Sequence, residues 1–250
     1  MVAAALLAGH AAAQGNCKLT PIGTVTVAAV RDGRTLSLAD GRSLRLAGID
    51  VTGVNAAALR QLAAGKTLRL EKLGPDHDRY GRLVAFAFAG TAGESLEQVL
   101  LAAGDARVGP RIGDQACAEL LLAAERAARA AGRGLWANPR FSPIKAADLP
   151  RLRGEKGHFA LVEGEVLSVH PSGGTIYLNF GRRWTRDFSV TILRRRRAMF
   201  AAAGIDPLRL AHRRIRVRGV IEMRRGPIIE AEVPEQIEIA GGAPRAGRDK

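Results

Sequence analysis

Residues 32–50, which read DGRTLSLADGRSLRLAGID, contain the local signal that decides the fold of the first half of the chain. Apolar and polar residues alternate over 35–38 and again over 43–49, and the pair Asp40 and Gly41 stands between these two segments. Alternation with a period of two predicts half-buried strands, and an Asp-Gly pair between two such strands predicts a tight turn. The stretch therefore predicts a β-hairpin.

The segments around this hairpin complete a small barrel. The sequence predicts three further strands and three helices, with the strands at 25–30, 67–73 and 83–88 and the helices at 55–64, 95–103 and 115–131. This order fits a five-stranded Greek-key barrel of the OB type over residues 18–137, with three helices.

The second half of the chain follows a similar plan. Residues 138–157 are rich in proline and then in charge, which predicts a linker. Alternating strand segments over 158–240 predict a second five-stranded OB-type barrel, and the Gly-, Pro- and Arg-rich residues 241–250 predict a disordered basic tail. The expected fold class is therefore mainly β with some α, built on two OB-type barrels.

Composition limits the classes of partner. The chain has 250 residues and a formal net charge of +14, and a basic surface attracts nucleic acid, anionic lipid and other polyanions alike. Most of the basic residues are arginine, a bias that genome composition produces by itself, so charge alone does not choose among these partners. The sequence contains no run of about 18 apolar residues, which is the length that a transmembrane helix needs. The sequence predicts no particular oligomeric state.

The N-terminal residues predict export. Residues 1–13 are apolar and end in three alanines, as a truncated signal peptide over residues 1–14 would, and the alternative is a disordered alanine-rich tail. The chain has two cysteines, Cys17 and Cys117. In an exported periplasmic or extracellular protein we expect them to form a disulfide, and the alternative is two unrelated buried thiols.

Two arginines and a carboxylate carry the candidate chemistry. Arg45 and Asp50 belong to the stretch quoted above, and Arg82 ends the run DRYGR at residues 78–82. Arginine grips phosphate with two donors and keeps its charge, and a carboxylate can hold a metal ion. These types indicate contact with a phosphodiester. Asp32 is either a further metal ligand near Asp50 or a residue that holds a turn through its side chain.

These motifs in this order, together with Gly-Leu-Trp at 134–136, resemble the thermonuclease (staphylococcal nuclease-like) family over about residues 22–137. The resemblance implies that Arg45 contacts phosphate, that Arg82 stabilises the transition state and that Asp50 is a calcium ligand. It also implies a second calcium carboxylate at the position of Arg34 and a glutamate that assists water at the position of Gly53. Both of these groups are replaced.

Further residues are candidate nucleic-acid contacts. The segment IYLNFG at 176–181 resembles an OB-like domain that is often appended to exported thermonuclease-like proteins, and the alternative is that its aromatic residues are core. The candidate contacts are Arg34, Tyr80, Arg111, Tyr177, Arg182, Arg183 and Trp184.

The sequence therefore predicts an exported thermonuclease-like protein that binds nucleic acid or another phosphate-bearing polyanion and cleaves it weakly or not at all. The guanidinium of Arg34 would replace the charge of a metal, so no cofactor is expected, and Ca²⁺ is expected only if the nuclease site works. One alternative is an active phosphodiesterase or endonuclease with a rearranged site. Another is a structural envelope protein or protein-binding module.

Overall fold

A computed structural model describes residues 17–51 and 56–240. The predicted signal peptide, Gly53 and the predicted basic tail lie outside the described residues. No helix in the described ranges is long and apolar enough to cross a bilayer.

The first unit contains a closed five-stranded barrel. Its elements are β1 (Thr20–Val30), β2 (Thr35–Leu38), β3 (Ser43–Leu46), β4 (Ile49–Asp50), α1 (Ala57–Ala63), β5 (Thr67–Lys72), β6 (Leu83–Ala89), α2 (Leu96–Ala103), β7 (Arg107–Val108) and α3 (Gln115–Ala130). The barrel order is β1-β2-β3-β6-β5, with β3 and β6 parallel and the other neighbours antiparallel. The predicted mainly β fold with an OB-type first barrel and three helices is confirmed.

The predicted hairpin forms because its alternation and its turn agree. Leu36 on β2 is paired with Leu44 on β3, and both side chains are fully buried in the barrel core. Gly41 takes the left-handed backbone conformation, with φ of +86°, which residues other than glycine rarely adopt. The strands β4 and β7 form a separate two-stranded ladder in which Asp50 is paired with Arg107.

The backbone at the end of α2 packs closely against the segment that follows α3, and two glycines permit this contact. Ser95 and Gln98 form a capping box at the start of α2, and Gly104 ends that helix in the left-handed conformation. A Cβ on Gly104 would overlap the carbonyl oxygen of Arg133, and a Cβ on Gly134 would lie 2.5 Å from the carbonyl oxygen of Gly104. The backbones therefore meet at a distance that only glycine permits.

The strands of the second unit form two sheets instead of the single closed five-stranded barrel that the sequence predicted. The elements are β8 (Ile144–Lys145), α4 (Leu149–Gly154), β9 (Phe159–Glu165), β10 (Ser168–Ser172), β11 (Thr175–Asn179), β12 (Ser189–Leu193), α5 (Arg197–Ala202), β13 (Arg214–Val220), β14 (Glu222–Met223), β15 (Pro227–Glu230) and β16 (Ile237–Ile239). One sheet has the order β10-β11-β12-β15-β14, and the other has the order β16-β13-β9-β8.

The difference has two local causes. Strand structure is interrupted after Glu165 and after Val220, so β9 and β13 lie in one sheet while β10 and β14 lie in the other. The segment predicted as a linker also contributes structure, because β8 pairs in parallel with β9 and α4 follows it. The exact boundary between the two units stays a prediction.

A disulfide joins Cys17 to Cys117, so the segment before β1 is tied to α3. Farther along α3, the small cluster of Ala128, Trp136 and Leu161 packs the first unit against β9. Both contacts fix α3 with respect to its neighbours.

A buried ion network also connects the units. Arg218 on β13 is 1% exposed and donates to Glu125 on α3 at 2.7 Å and to the carbonyl oxygen of Val108 at 3.1 Å. Its other terminal nitrogen contacts Glu238 on β16 at 2.6 Å. Arg129 lies 3.4 Å from Glu125 and 3.5 Å from Glu238. Each charge of this network therefore has a partner of opposite sign.

Candidate nucleic-acid interface

Asp50 is held between two arginines. Arg34 Nη1 lies 3.2 Å from Asp50 Oδ1, and Arg107 Nη2 lies 3.1 Å from Asp50 Oδ2. Arg34 also donates to the carbonyl oxygen of Ile49 at 3.3 Å. The ladder of β4 and β7 places Arg107 beside Asp50, and the turn before β2 directs Arg34 toward it. Both carboxylate oxygens are thus engaged by guanidinium groups.

Asp32 holds the turn that precedes β2. Its Oδ1 accepts a hydrogen bond from the backbone N–H of Arg34 at 2.8 Å. This is the side-chain-to-backbone contact that aspartate makes in turns. The geometry matches the second of the two roles considered for Asp32.

The residues that the structure describes do not form a set of calcium ligands. Calcium takes six to eight oxygen ligands, usually with several carboxylates. Among the described residues, no group of three or more His, Cys, Asp or Glu side chains is arranged to hold a metal. Asp50 is occupied by Arg34 and Arg107, whose charges repel a cation. Gly53, at the position where the resemblance implies a glutamate, lies outside the described residues.

Arg45 on β3 is the half-buried arginine of the site that lacks an anion. Its side chain makes no hydrogen bond or ion pair with any described residue. Burial lowers the pKa of Arg45, and the positive charges of Arg34 and Arg82 lower it further, whereas Asp78 and Asp50 raise it. Burial is the largest of these effects, so Arg45 carries a partly desolvated positive charge close to those of two other arginines.

The turn at residues 78–82 positions Arg82. Asp78 Oδ1 accepts the backbone N–H groups of Tyr80 at 2.9 Å and Arg82 at 3.1 Å. Asp78 Oδ2 lies 2.7 Å from Arg82 Nη2. Burial raises the pKa of Asp78, but the hydrogen bonds from Arg82 and Tyr80 outweigh it and hold the pKa below its usual range. The aspartate therefore stays ionised and orients Arg82.

Tyr80 is an exposed aromatic surface beside this turn. Its side chain is 65% exposed, and the guanidinium groups of Arg79 and Arg82 lie 4.8 and 5.1 Å from the centre of its ring. Arg79 also donates to the tyrosine hydroxyl at 2.6 Å. Such an arrangement offers a base a flat face next to two positive charges.

Arg111 does not join this site. It is exposed and forms an ion pair with Glu232 of the second unit, which also lies 3.4 Å from Arg196. The candidate residues of the second unit are divided as well. Tyr177 and Trp184 line an open groove of about 800 Å³, whereas Arg182 and Arg183 are exposed and do not line it.

Sequence reasoning missed three arginines. Arg107 contacts Asp50, and Arg224 and Arg225 line the groove of the second unit. No local motif marks any of the three. The pairing of β4 with β7 places Arg107 beside Asp50, which stands 57 residues earlier in the chain. This contact is visible only in the tertiary structure.

Comparison with known protein families gives a match that falls in the first unit. The family model for staphylococcal nuclease homologues matches residues 54–138, which include Tyr80, Arg82 and Arg107. No curated protein matches the chain. A second OB-like domain after residue 138 is not confirmed by this comparison. Residues 54–138 are therefore similar to the staphylococcal nuclease homologues, as the match to their family model shows.

Proposed function

We propose that the protein is an exported thermonuclease-like protein that binds nucleic acid through phosphate contacts and cleaves it weakly or not at all. The same residues would also bind another polyanion that carries phosphate groups. The residues that would make these contacts are called the arginine cluster below, and they are Arg34, Arg45, Arg82 and Arg107. The single observation that carries the proposal is the half-buried guanidinium of Arg45, which makes no hydrogen bond or salt bridge with any described residue.

Charge balance supports a bound anion. The four guanidinium groups of the arginine cluster face two carboxylates, those of Asp50 and Asp78. A phosphodiester would bring further negative charge beside Arg45, and a guanidinium binds phosphate through paired charge-assisted hydrogen bonds. The exposed ring of Tyr80 next to Arg82 would give a neighbouring base a surface for stacking.

Weak cleavage follows from what the site lacks. Hydrolysis of a phosphodiester needs a group that activates water, and metal-assisted hydrolysis needs an open cation site. Asp50 is bound by two arginines instead, and glycine stands at residue 53, where the resemblance implies a glutamate. The arginines would hold the phosphate in place without supplying an attacking hydroxide.

Export is supported by the disulfide between Cys17 and Cys117. Disulfides form and persist in oxidising compartments and are rare in the reducing cytosol. The apolar residues 1–13 agree with this, since they resemble the hydrophobic part of a secretory signal.

The test is a binding and cleavage assay on fluorescent single-stranded DNA, with chelator or with Ca²⁺. We expect binding in chelator that weakens steeply with salt, and an increase in Kd of about 10-fold or more for Arg45→Gln. Arg60→Gln removes an equal charge from the exposed face of α1 and should change Kd by less than about threefold. Equal loss in both variants, or robust cleavage that requires Ca²⁺ and Arg82, would contradict the proposal.

A further inference from the structure

The groove of the second unit lies on one face of the five-stranded sheet. Along β11, Ile176 and Leu178 are buried in the core, whereas Tyr177 and Asn179 line the groove. The strand β12 alternates in the same way, and its Thr191 is the cross-strand partner of Tyr177. The groove is therefore the polar face of a sheet whose other face is core.

The floor of the groove is built from side chains with hydrogen-bonding groups. Ser189 donates to the amide oxygen of Asn179 at 3.1 Å, and the amide nitrogen of Asn179 donates to Ser168 at 3.3 Å. Beside them, Thr191 is 3% exposed, and its hydroxyl has no hydrogen-bond partner among the described residues. A buried hydroxyl without a partner is costly, so its retention in the groove points to a ligand that satisfies it.

The rim of the groove is aromatic and basic. Trp184 is 59% exposed, and the guanidinium of Arg225 lies 5.3 Å from the centre of its ring. Arg224 lines the same rim and is only loosely neutralised, because its contacts with Glu222 and Glu230 are both 3.6 Å long. A ligand seated here would meet a flat aromatic face, uncharged hydrogen-bonding groups below it and positive charge beside it.

We propose that this groove binds one unpaired base of single-stranded nucleic acid. The base stacks on Trp184, its polar edge hydrogen-bonds with Thr191 and the Asn179 amide, and the flanking phosphates contact Arg224 and Arg225. A base is favoured over a sugar because it has both a π-face for the tryptophan and adjoining phosphates for the two arginines. The inference rests on the proposed function and adds a second contact on the same strand.

The experiment compares two single-stranded 12-mers that have equal phosphate number, one intact and one abasic throughout, by anisotropy and by quenching of tryptophan fluorescence. We expect the intact strand to bind at least about fivefold more tightly and to quench Trp184, since Trp136 is buried. Trp184→Ala should remove most of the difference between the strands, and stacking on Tyr80 would account for the remainder. Thr191→Val, which keeps the shape, should reduce the difference, and Arg225→Gln should weaken both strands more than Arg182→Gln does.

The outcomes separate the two proposals. Equal binding of both strands by the wild type would overturn the groove proposal and leave phosphate binding by the arginine cluster intact. Binding of neither strand would remove the proposed function together with the inference. Quenching of Trp184 by neutral oligosaccharides without quenching by DNA would overturn the groove proposal in favour of a sugar site. Thermal unfolding of each variant checks that it is folded.

Discussion

At the scale of single residues, the central feature is Asp50, whose two carboxylate oxygens each contact an arginine. Arg34 and Arg107 each contact one oxygen of Asp50. A guanidinium carries one charge, is bound covalently to the chain and needs no ligand shell. The site would therefore keep its attraction for phosphate when divalent ions are removed.

Restoring the lost carboxylates should restore cleavage. In the double variant Arg34→Asp with Gly53→Glu, we expect Ca²⁺-dependent hydrolysis of single-stranded DNA to rise by at least about 100-fold, because a metal site and a base are both regained. The matched control combines Arg42→Asp with Gly53→Glu, since Arg42 is exposed at the hairpin turn. A gain of the same size in the control would show that the position of residue 34 is not decisive.

A buried glutamate predicts an unusual dependence of stability on pH. Glu97 on α2 is fully buried, and burial raises its pKa from 4.5 to about 8. The folded chain therefore binds a proton that the unfolded chain releases between these two values. The sign of the linkage is that the free energy of unfolding decreases as pH rises through this window.

Urea unfolding at pH 5, 7 and 9 tests this effect. We expect Glu97→Gln to flatten the decrease in unfolding free energy between pH 5 and 9, because the amide does not ionise. Glu94→Gln changes an exposed glutamate nearby and should leave the profile as it is. A Glu97→Gln profile that is parallel to the wild type would show that Glu97 is not the group responsible.

At the scale of elements, the sequence predicted the helices and strands whose formation depends on residues close together in the chain. The β2–β3 hairpin follows from alternation and an Asp-Gly turn, and α2 follows from its capping box. The pairing of β4 with β7 and the division of the second unit into two sheets depend on contacts between distant segments, which alternation does not encode. For this reason, Arg45, Asp50 and Arg82 were predicted, whereas Arg107 was not.

The contact between the ends of α2 and α3 can be tested with two glycines. Gly104 and Gly132 both have left-handed φ angles, +79° and +61°, but only a Cβ on Gly104 would overlap neighbouring backbone. We expect Gly132→Ala to cost about 1 kcal/mol of unfolding free energy and Gly104→Ala at least about 3 kcal/mol. Urea unfolding measures both, and equal losses would mean that the backbone contact adds nothing to the conformational cost.

At the scale of the whole molecule, the two units share a buried interface that no sequence motif predicts. Arg218 of β13 reaches Glu125 and Val108 of the first unit, and Trp136 packs on Leu161. Arg107 also spans the interface, because its guanidinium contacts Asp50 and lies 4.8 Å from the centre of the Phe159 ring. The second unit therefore helps to hold one arginine of the candidate site.

Removing the central charge of this interface should be costly. In Arg218→Leu, Glu125 and Glu238 lose their closest partner inside the protein, so we expect a loss of roughly 3–5 kcal/mol of unfolding free energy. Arg214→Leu, at the exposed start of the same strand, should cost no more than about 1 kcal/mol. Denaturant unfolding compares them, and a loss for Arg218→Leu no larger than that of its control would contradict the assigned role.

In the proposed function, the arginine cluster holds phosphate where a calcium ion would otherwise be needed. The most direct measurement is a calorimetric titration of Ca²⁺ into the wild-type protein with single-stranded DNA bound. We expect no saturable calcium binding up to about 1 mM, and a DNA affinity that changes by less than about twofold between calcium and chelator at equal ionic strength. A saturable one-site calcium isotherm, accompanied by cleavage of the DNA, would contradict it.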